Sequence, residues 1–332
     1  VIPRGAALLL GAVTLALTVG CGSAELDAGF DRPDDPLPVD AHNPLIISND
    51  GARDNWQGEL AAALASSGQL QLLGIVVNAS AIYPSLSDNL SAWNALVNAA
   101  RASGMGDIPD PLASDSAPLT RPSSGAIDDT TPTTSAGAAF IIDASAHFSQ
   151  PLLPVVVATG GRLTDLADAY LLDHSVTARV TVVASAGQTT GASISTGWPN
   201  GDLDPWATEI VVSKFRYVQV NAYYEQKDDV SSARIAELPQ NAFSSWMNSK
   251  LNDILALQEA PDQISVAASA FASFPLSVLR ASSADATDTP AGTPPTLVAG
   301  QSGNFWAITR GDTASSTARF WDALLDPQTF GH

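Results

Sequence analysis

The sequence predicts an α/β protein built on a single doubly wound, mostly parallel sheet flanked by helices. Three observations carry that prediction. Short runs of Val, Ile and Leu are apolar at consecutive positions, as in strands buried on both faces. Stretches of helix-forming residues alternate with them. Polar or glycine residues stand directly after several of the runs, where open α/β sheets place ligands. No composition break or internal repeat interrupts the alternation, so residues 44–332 read as one domain.

Residues 44–48 (PLIIS) form the first buried strand, followed by an oxygen-rich turn, 49–55 (NDGARDN). Helix-forming residues fill 55–68, with apolar positions at Leu60, Ala63 and Leu64, and close on Gly68 as a C-terminal cap does. A second strand, 70–78, ends in Asn78. A helix over 89–104 precedes a Pro-, Ser- and Thr-rich stretch, 108–134, and a helix over 135–148. Strand 153–159 ends in Thr159 before two glycines; helix 163–173 and strand 178–185, ending in Ser185, come next. The alternation runs on through 206–214, 217–224, 242–257 and 263–272 to a last helix near 317–325.

Ahead of the domain, residues 1–20 carry one arginine and then an apolar run too short to span a membrane, which ends at Cys21, the only cysteine. The stretch reads as an export signal, and its LTVGC ending resembles the lipobox of bacterial lipoproteins, with Thr18 where Leu is more usual. That resemblance implies a lipid on Cys21; a plain secretory signal with an incidental cysteine is the alternative. Residues 21–43 are acidic and Pro-bearing, without hydrophobic period, and read as a tether. The expectation is an extracytoplasmic protein, lipid-anchored to a bacterial membrane and touching it through that anchor only. A net charge of -19 and a pI near 4.2 argue against nucleic acid and anionic membrane surfaces as partners, since the field repels both.

The opening turn concentrates Asp50, Asp54 and Asn55 around Gly51. Carboxylates crowded in this way share a proton, bind a hard cation, or cap the next helix. The other strand ends, at Asn78, Thr159 and Ser185, converge on the same rim in a parallel sheet, which is how a small-molecule pocket is built. Residues 197–207 (GWPNGDLDPWA) are irregular: Asp204 followed by Pro205 reads as a helix cap, whereas Asn200 and Trp198 suit a ligand's hydroxyls and flat face. The four histidines, at 42, 147, 174 and 332, show no metal spacing, and no Gly-x-Ser-x-Gly elbow is present.

With these residues in hand, nearly the whole of 44–332 resembles the inosine-uridine preferring nucleoside hydrolases. The segment SNDGARDNW aligns with the family's Asp-x-Asp-x-Gly-x-Asp-Asp: Ser48 replaces the first acid, Asp50 and Asp54 match the second and third, Asn55 replaces the fourth, and Ala52 stands at the Gly. LLGIVVN, NALVNAARASGMGDIPDP, ATGGRLTDLADAYLLD and WPNGDLDPWA match further blocks in order, with Asn200 on the family's Asn and Trp198 on its Glu.

The resemblance implies hydrolysis of an N-glycosidic bond in a nucleoside, with Asp50 as base and metal ligand and Asp54, Asn78, Asn200 and Trp198 as substrate contacts. It also implies a Ca²⁺ held by Asp50, Asn55 and the Thr159 carbonyl, but weakened. Asn55 replaces one acid, and Phe274, in SFPLSVL, stands at the position of the last acidic ligand unless Asp202 moves in. The alternative is a non-catalytic surface lipoprotein of the same fold that has lost the metal and binds a nucleoside or sugar. A transporter's binding lipoprotein would need two lobes and a hinge, which the sequence does not show.

Overall fold

In the computed structural model, the described residues are 37–53, 56–81, 83–186, 188–190, 193–195, 199–220, 230–253, 263–283, 297–299 and 303–331. The expectations for Cys21, the export signal, most of the tether, Asp54, Asn55 and Trp198 lie outside them.

The described strands are β1 (Leu45–Asn49), β2 (Leu72–Val77), β3 (Pro111–Ala113), β4 (Val155–Thr159), β5 (Val180–Ala184), β6 (Gln188–Thr190), β7 (Ser193–Ser195), β8 (Arg216–Val220), β9 (Pro275–Ser283), β10 (Leu297–Ala299) and β11 (Phe305–Gly311). One nine-stranded sheet has the order β10-β9-β11-β8-β5-β4-β1-β2-β3, and β6 pairs with β7 apart from it. Every pairing from β11 across to β3 is parallel. β9 runs antiparallel to both β11 and β10, which gives the parallel sheet an antiparallel margin.

The described helices are α1 (Gln57–Ser66), α2 (Leu86–Ala102), α3 (Ala136–Phe148), α4 (Thr164–Leu172), α5 (Pro199–Asp202), α6 (Pro205–Lys214), α7 (Ser232–Ile235), α8 (Ala242–Asp253), α9 (Gln263–Ala270) and α10 (Thr313–Leu325). Gly68, past the end of α1, has φ +70°, the left-handed geometry that suits glycine there. Asp204 caps α6 by accepting from the Ala207 amide at 3.0 Å, and Pro205 takes the first helical position, as the residue order predicts. At α1 the residue before the helix is Trp56, whose side chain makes no cap bond.

The strands are apolar on both faces because both faces are covered. Leu45, Ile47, Ile75, Val77, Val156 and Ala158 pack with α1, α2, α8, α9 and α10. Ile46, Val76, Val155, Val157, Val182 and Ala184 pack with α3, α4 and α6. Because successive strand side chains point to opposite faces, one short run feeds both cores. β1 pairs with β2 on one side and β4 on the other, so the chain winds outward from β1 in both directions. The crevice at the carboxyl ends of β1 and β4 is therefore the topological switch point, where doubly wound sheets bind ligands.

Candidate active site

Asp50 follows the last residue of β1 and is 3% exposed. A hydrogen-bonded chain fixes the strand end beneath it. The Asn49 Oδ1 accepts the Asp50 amide at 2.7 Å, Asn49 Nδ2 donates to Gln57 Oε1 at 2.8 Å, and Gln57 Nε2 donates to Ser265 Oγ at 2.8 Å. β1 is thereby tied to α1 and α9 at the switch point. The Asp50 carboxylate accepts the Gly51 amide at 2.8 Å and also bonds Ser80. Burial pushes this carboxyl above the ordinary range, and the Ser80 bond, the backbone amides and the Arg162 charge pull against that shift.

Asn78, directly after β2, lies beside it. Its amide donates to the Asn49 carbonyl at 3.0 Å and its carbonyl accepts from Asn89 Nδ2 at 2.9 Å. Its side chain is fully buried, and neither Oδ1 nor Nδ2 has a protein partner. Leaving such a group unpaired costs about 1–3 kcal/mol. An amide with one donor end and one acceptor end suits a pair of neighbouring hydroxyls. Gly161, past β4, closes over the same place: a Cβ there would stand 3.1 Å from Asn78 Oδ1, 3.2 Å from the Asp50 nitrogen and 3.3 Å from Asn49 Cα. This glycine answers a close approach and not a turn; its φ is not positive.

Thr159 ends β4 on the same rim; its carbonyl accepts the Ser185 amide at 3.3 Å and its hydroxyl donates to the Gly161 carbonyl at 3.2 Å. Asn200, in α5, donates through Nδ2 to the Ser185 carbonyl at 3.2 Å. Asp50, Asn78, Thr159 and Asn200 thus belong to the carboxyl ends of β1, β2, β4 and β5. Two neighbours have no mark in the sequence: Ser80, and Arg162, which is 6% exposed. A groove whose lining includes Leu70, Gln71, Leu72, Asp107, Ile108 and Pro109 lies at the opposite, amino edge.

Among the described residues, no three His, Cys, Asp or Glu side chains lie together as a metal site. Phe274 is 1% exposed, in the core against Gly311, and Asp202 is exposed. The charge of the buried Arg162 acts on Asp165 and Asp204 more strongly than on Asp50. Among the described residues the oxygens that the resemblance implies for a dication are the Asp50 carboxylate and the Thr159 carbonyl, fewer than the six to eight that a hard dication takes.

No protein-family model and no curated protein sequence matches the chain. Solved structures do. An inosine-guanosine nucleoside hydrolase superposes with TM-score 0.62 at 15% identity, covering 85% of this chain and 99% of that one. The fold is that of the nucleoside hydrolases. The inosine-uridine preferring nucleoside hydrolase from Bacillus anthracis gives 0.60 at 12% identity over 86% and 99% of the two chains. The type III effector XopQ, solved with adenosine diphosphate ribose, gives 0.55 at 10% identity over 90% and 96%. Nucleoside hydrolases and an effector thus share one architecture with this chain, and at these identities the likeness concerns the fold.

Proposed function

We propose that the chain hydrolyses the N-glycosidic bond of a nucleoside or a related ribosyl compound at the carboxyl edge of its sheet, with Asp50 as general base. The observation that carries this reading is the position of Asp50: a buried carboxylate on the strand from which the sheet winds both ways. Asp50 takes a proton from water as the water oxygen bonds to the anomeric carbon. The carbon–nitrogen bond breaks with its electron pair going to the base, which leaves with a proton from solvent. Asn78 offers both ends of its amide to the sugar hydroxyls, and the carboxylate also stabilises the oxocarbenium-like charge of the transition state.

The test is ribose release from a nucleoside panel by wild type and Asp50→Asn. The expected loss is on the order of 10² to 10⁴ in rate, with ligand affinity changed only a few-fold. One observation favours a second reading, a binding protein of the same fold: Phe274, at the position of the last acidic ligand, is packed into the core against Gly311. Wild type that binds nucleosides but releases no ribose, with or without Ca²⁺, would replace the first reading by the second.

A further inference from the structure

The chain from Trp56 to Glu59, where α1 begins, is pinned at each residue, and two of the ties are charged. A Cβ at Gly58 would stand 2.5 Å from Leu96 and 2.6 Å from Trp93, which sets α1 close against α2. Gln57 joins Asn49 to Ser265. Glu59 Oε1 accepts from Lys250 Nζ and from Trp246 Nε1, each at 3.0 Å, and both Glu59 and Lys250 are fully buried. The Lys250 ammonium lies over the Trp56 ring at 4.0 Å, and the Arg53 guanidinium lies over the Trp246 ring at 4.6 Å. Two routes therefore lead from this ion pair to the turn that carries Asp50. One runs from Glu59 through Trp246 to Arg53. The other runs along α1 from Glu59 to Gln57, then through Asn49 to the Asp50 amide.

The arrangement is costly. Two charges are withdrawn from water, and Glu59 Oε2 and Trp56 Nε1 are buried with no hydrogen-bond partner. A buried ion pair commonly adds no stability over an apolar pair of the same volume. What this one adds is direction: one carboxylate oxygen shared by an ammonium and an indole N–H fixes two rings, one under Arg53 and one at the start of α1. We propose that Glu59 and Lys250 are positioning residues for the Asp50 site, an ion pair that holds the turn after β1 in register with α1 and α8. The proposal rests on the reading of Asp50 as the general base, and its test separates the two.

Wild type, Glu59→Leu/Lys250→Met and Glu59→Gln/Lys250→Met are compared as full chains by urea unfolding, by ribose release from inosine, and by amide hydrogen exchange of residues 48–53 beside that of β11. The Gln substitution keeps an acceptor for Trp246, and the Leu substitution does not. The first double variant is expected to match wild type in urea midpoint and in β11 exchange, and to exchange roughly tenfold faster at 48–53. It is also expected to lose on the order of tenfold in kcat, with KM changed less than about threefold. The second is expected to recover most of both losses. Wild-type exchange at 48–53 in both variants would overturn the proposal, as would faster exchange with undiminished kcat. A lowered urea midpoint with kcat unchanged would make the pair a stability element only, and would overturn it too. Should wild type release no ribose, the reading of Asp50 as base fails, and exchange at 48–53 alone decides whether the pair holds the turn. Should the double variants fail to fold, Trp246→Phe decides, since it removes the indole N–H and keeps a ring for Arg53. Exchange at 48–53 roughly threefold faster is then expected, and exchange equal to wild type would overturn the proposal.

Discussion

Asp50 works only when ionised, and burial opposes ionisation. The acid limb of kcat/KM for nucleoside hydrolysis is therefore expected above about 4, the ordinary aspartate value, and activity should fall as pH drops through it. A pH profile with its inflection at or below about 4 would contradict Asp50 as the base. Asp50, Asn78, Thr159 and Asn200 were legible as candidates because each stands at the end of an apolar run or in an aromatic-rich turn, and strand period marks those ends. Arg162 was not legible: no pattern marks a single arginine after two glycines, and its burial comes from the folded chain. Nor was Ser80, whose bond to Asp50 comes from the chain folding back after β2.

At the scale of elements, Phe274 separates sequence alignment from packing. It precedes β9, its carbonyl accepts the Asp312 amide at 2.8 Å, and its ring lies where a Gly311 Cβ would come within 2.6 Å. Phe274→Asp is therefore expected to cost roughly 3–5 kcal/mol by removing a core ring and burying a charge, without creating a Ca²⁺ site. Urea unfolding checks this, and a variant of wild-type stability that gains Ca²⁺ binding would contradict it. The parallel strands β1, β2, β4 and β5 were readable because their apolar runs are continuous and bounded. The margins were not. β3 is three residues inside a Pro-rich stretch, and β9 takes its place from antiparallel pairing with β11 and β10, a long-range contact that local pattern does not encode. Half of the opening turn's chemistry, at Asp54 and Asn55, lies outside the described residues.

For the molecule as a whole, burial raises the proton affinity of Asp50, Asp168 and Asp204 above that of the unfolded chain. The folded state then binds more protons between the ordinary carboxylate range and the raised values, so stability falls as pH rises through that window and is regained on acidification. Asp173 and Asp326 shift the other way, but they sit near solvent and weigh less. Self-repulsion from a net charge of -19 acts in the same direction as the buried acids. The urea midpoint is expected to be higher at pH 5 than at pH 7; a lower midpoint at pH 5 would show that the buried acids do not govern stability. Asp50 is 3% exposed and Asn78 fully buried. Both the enzyme and the binder readings place their ligand at the switch point of the sheet. A crystal structure of Asp50→Asn with inosine tests this most directly: the account predicts the ribose within hydrogen-bond distance of residue 50 and the Asn78 amide, and inosine in the groove at the amino edge, or anywhere away from the ends of β1 and β4, would contradict it.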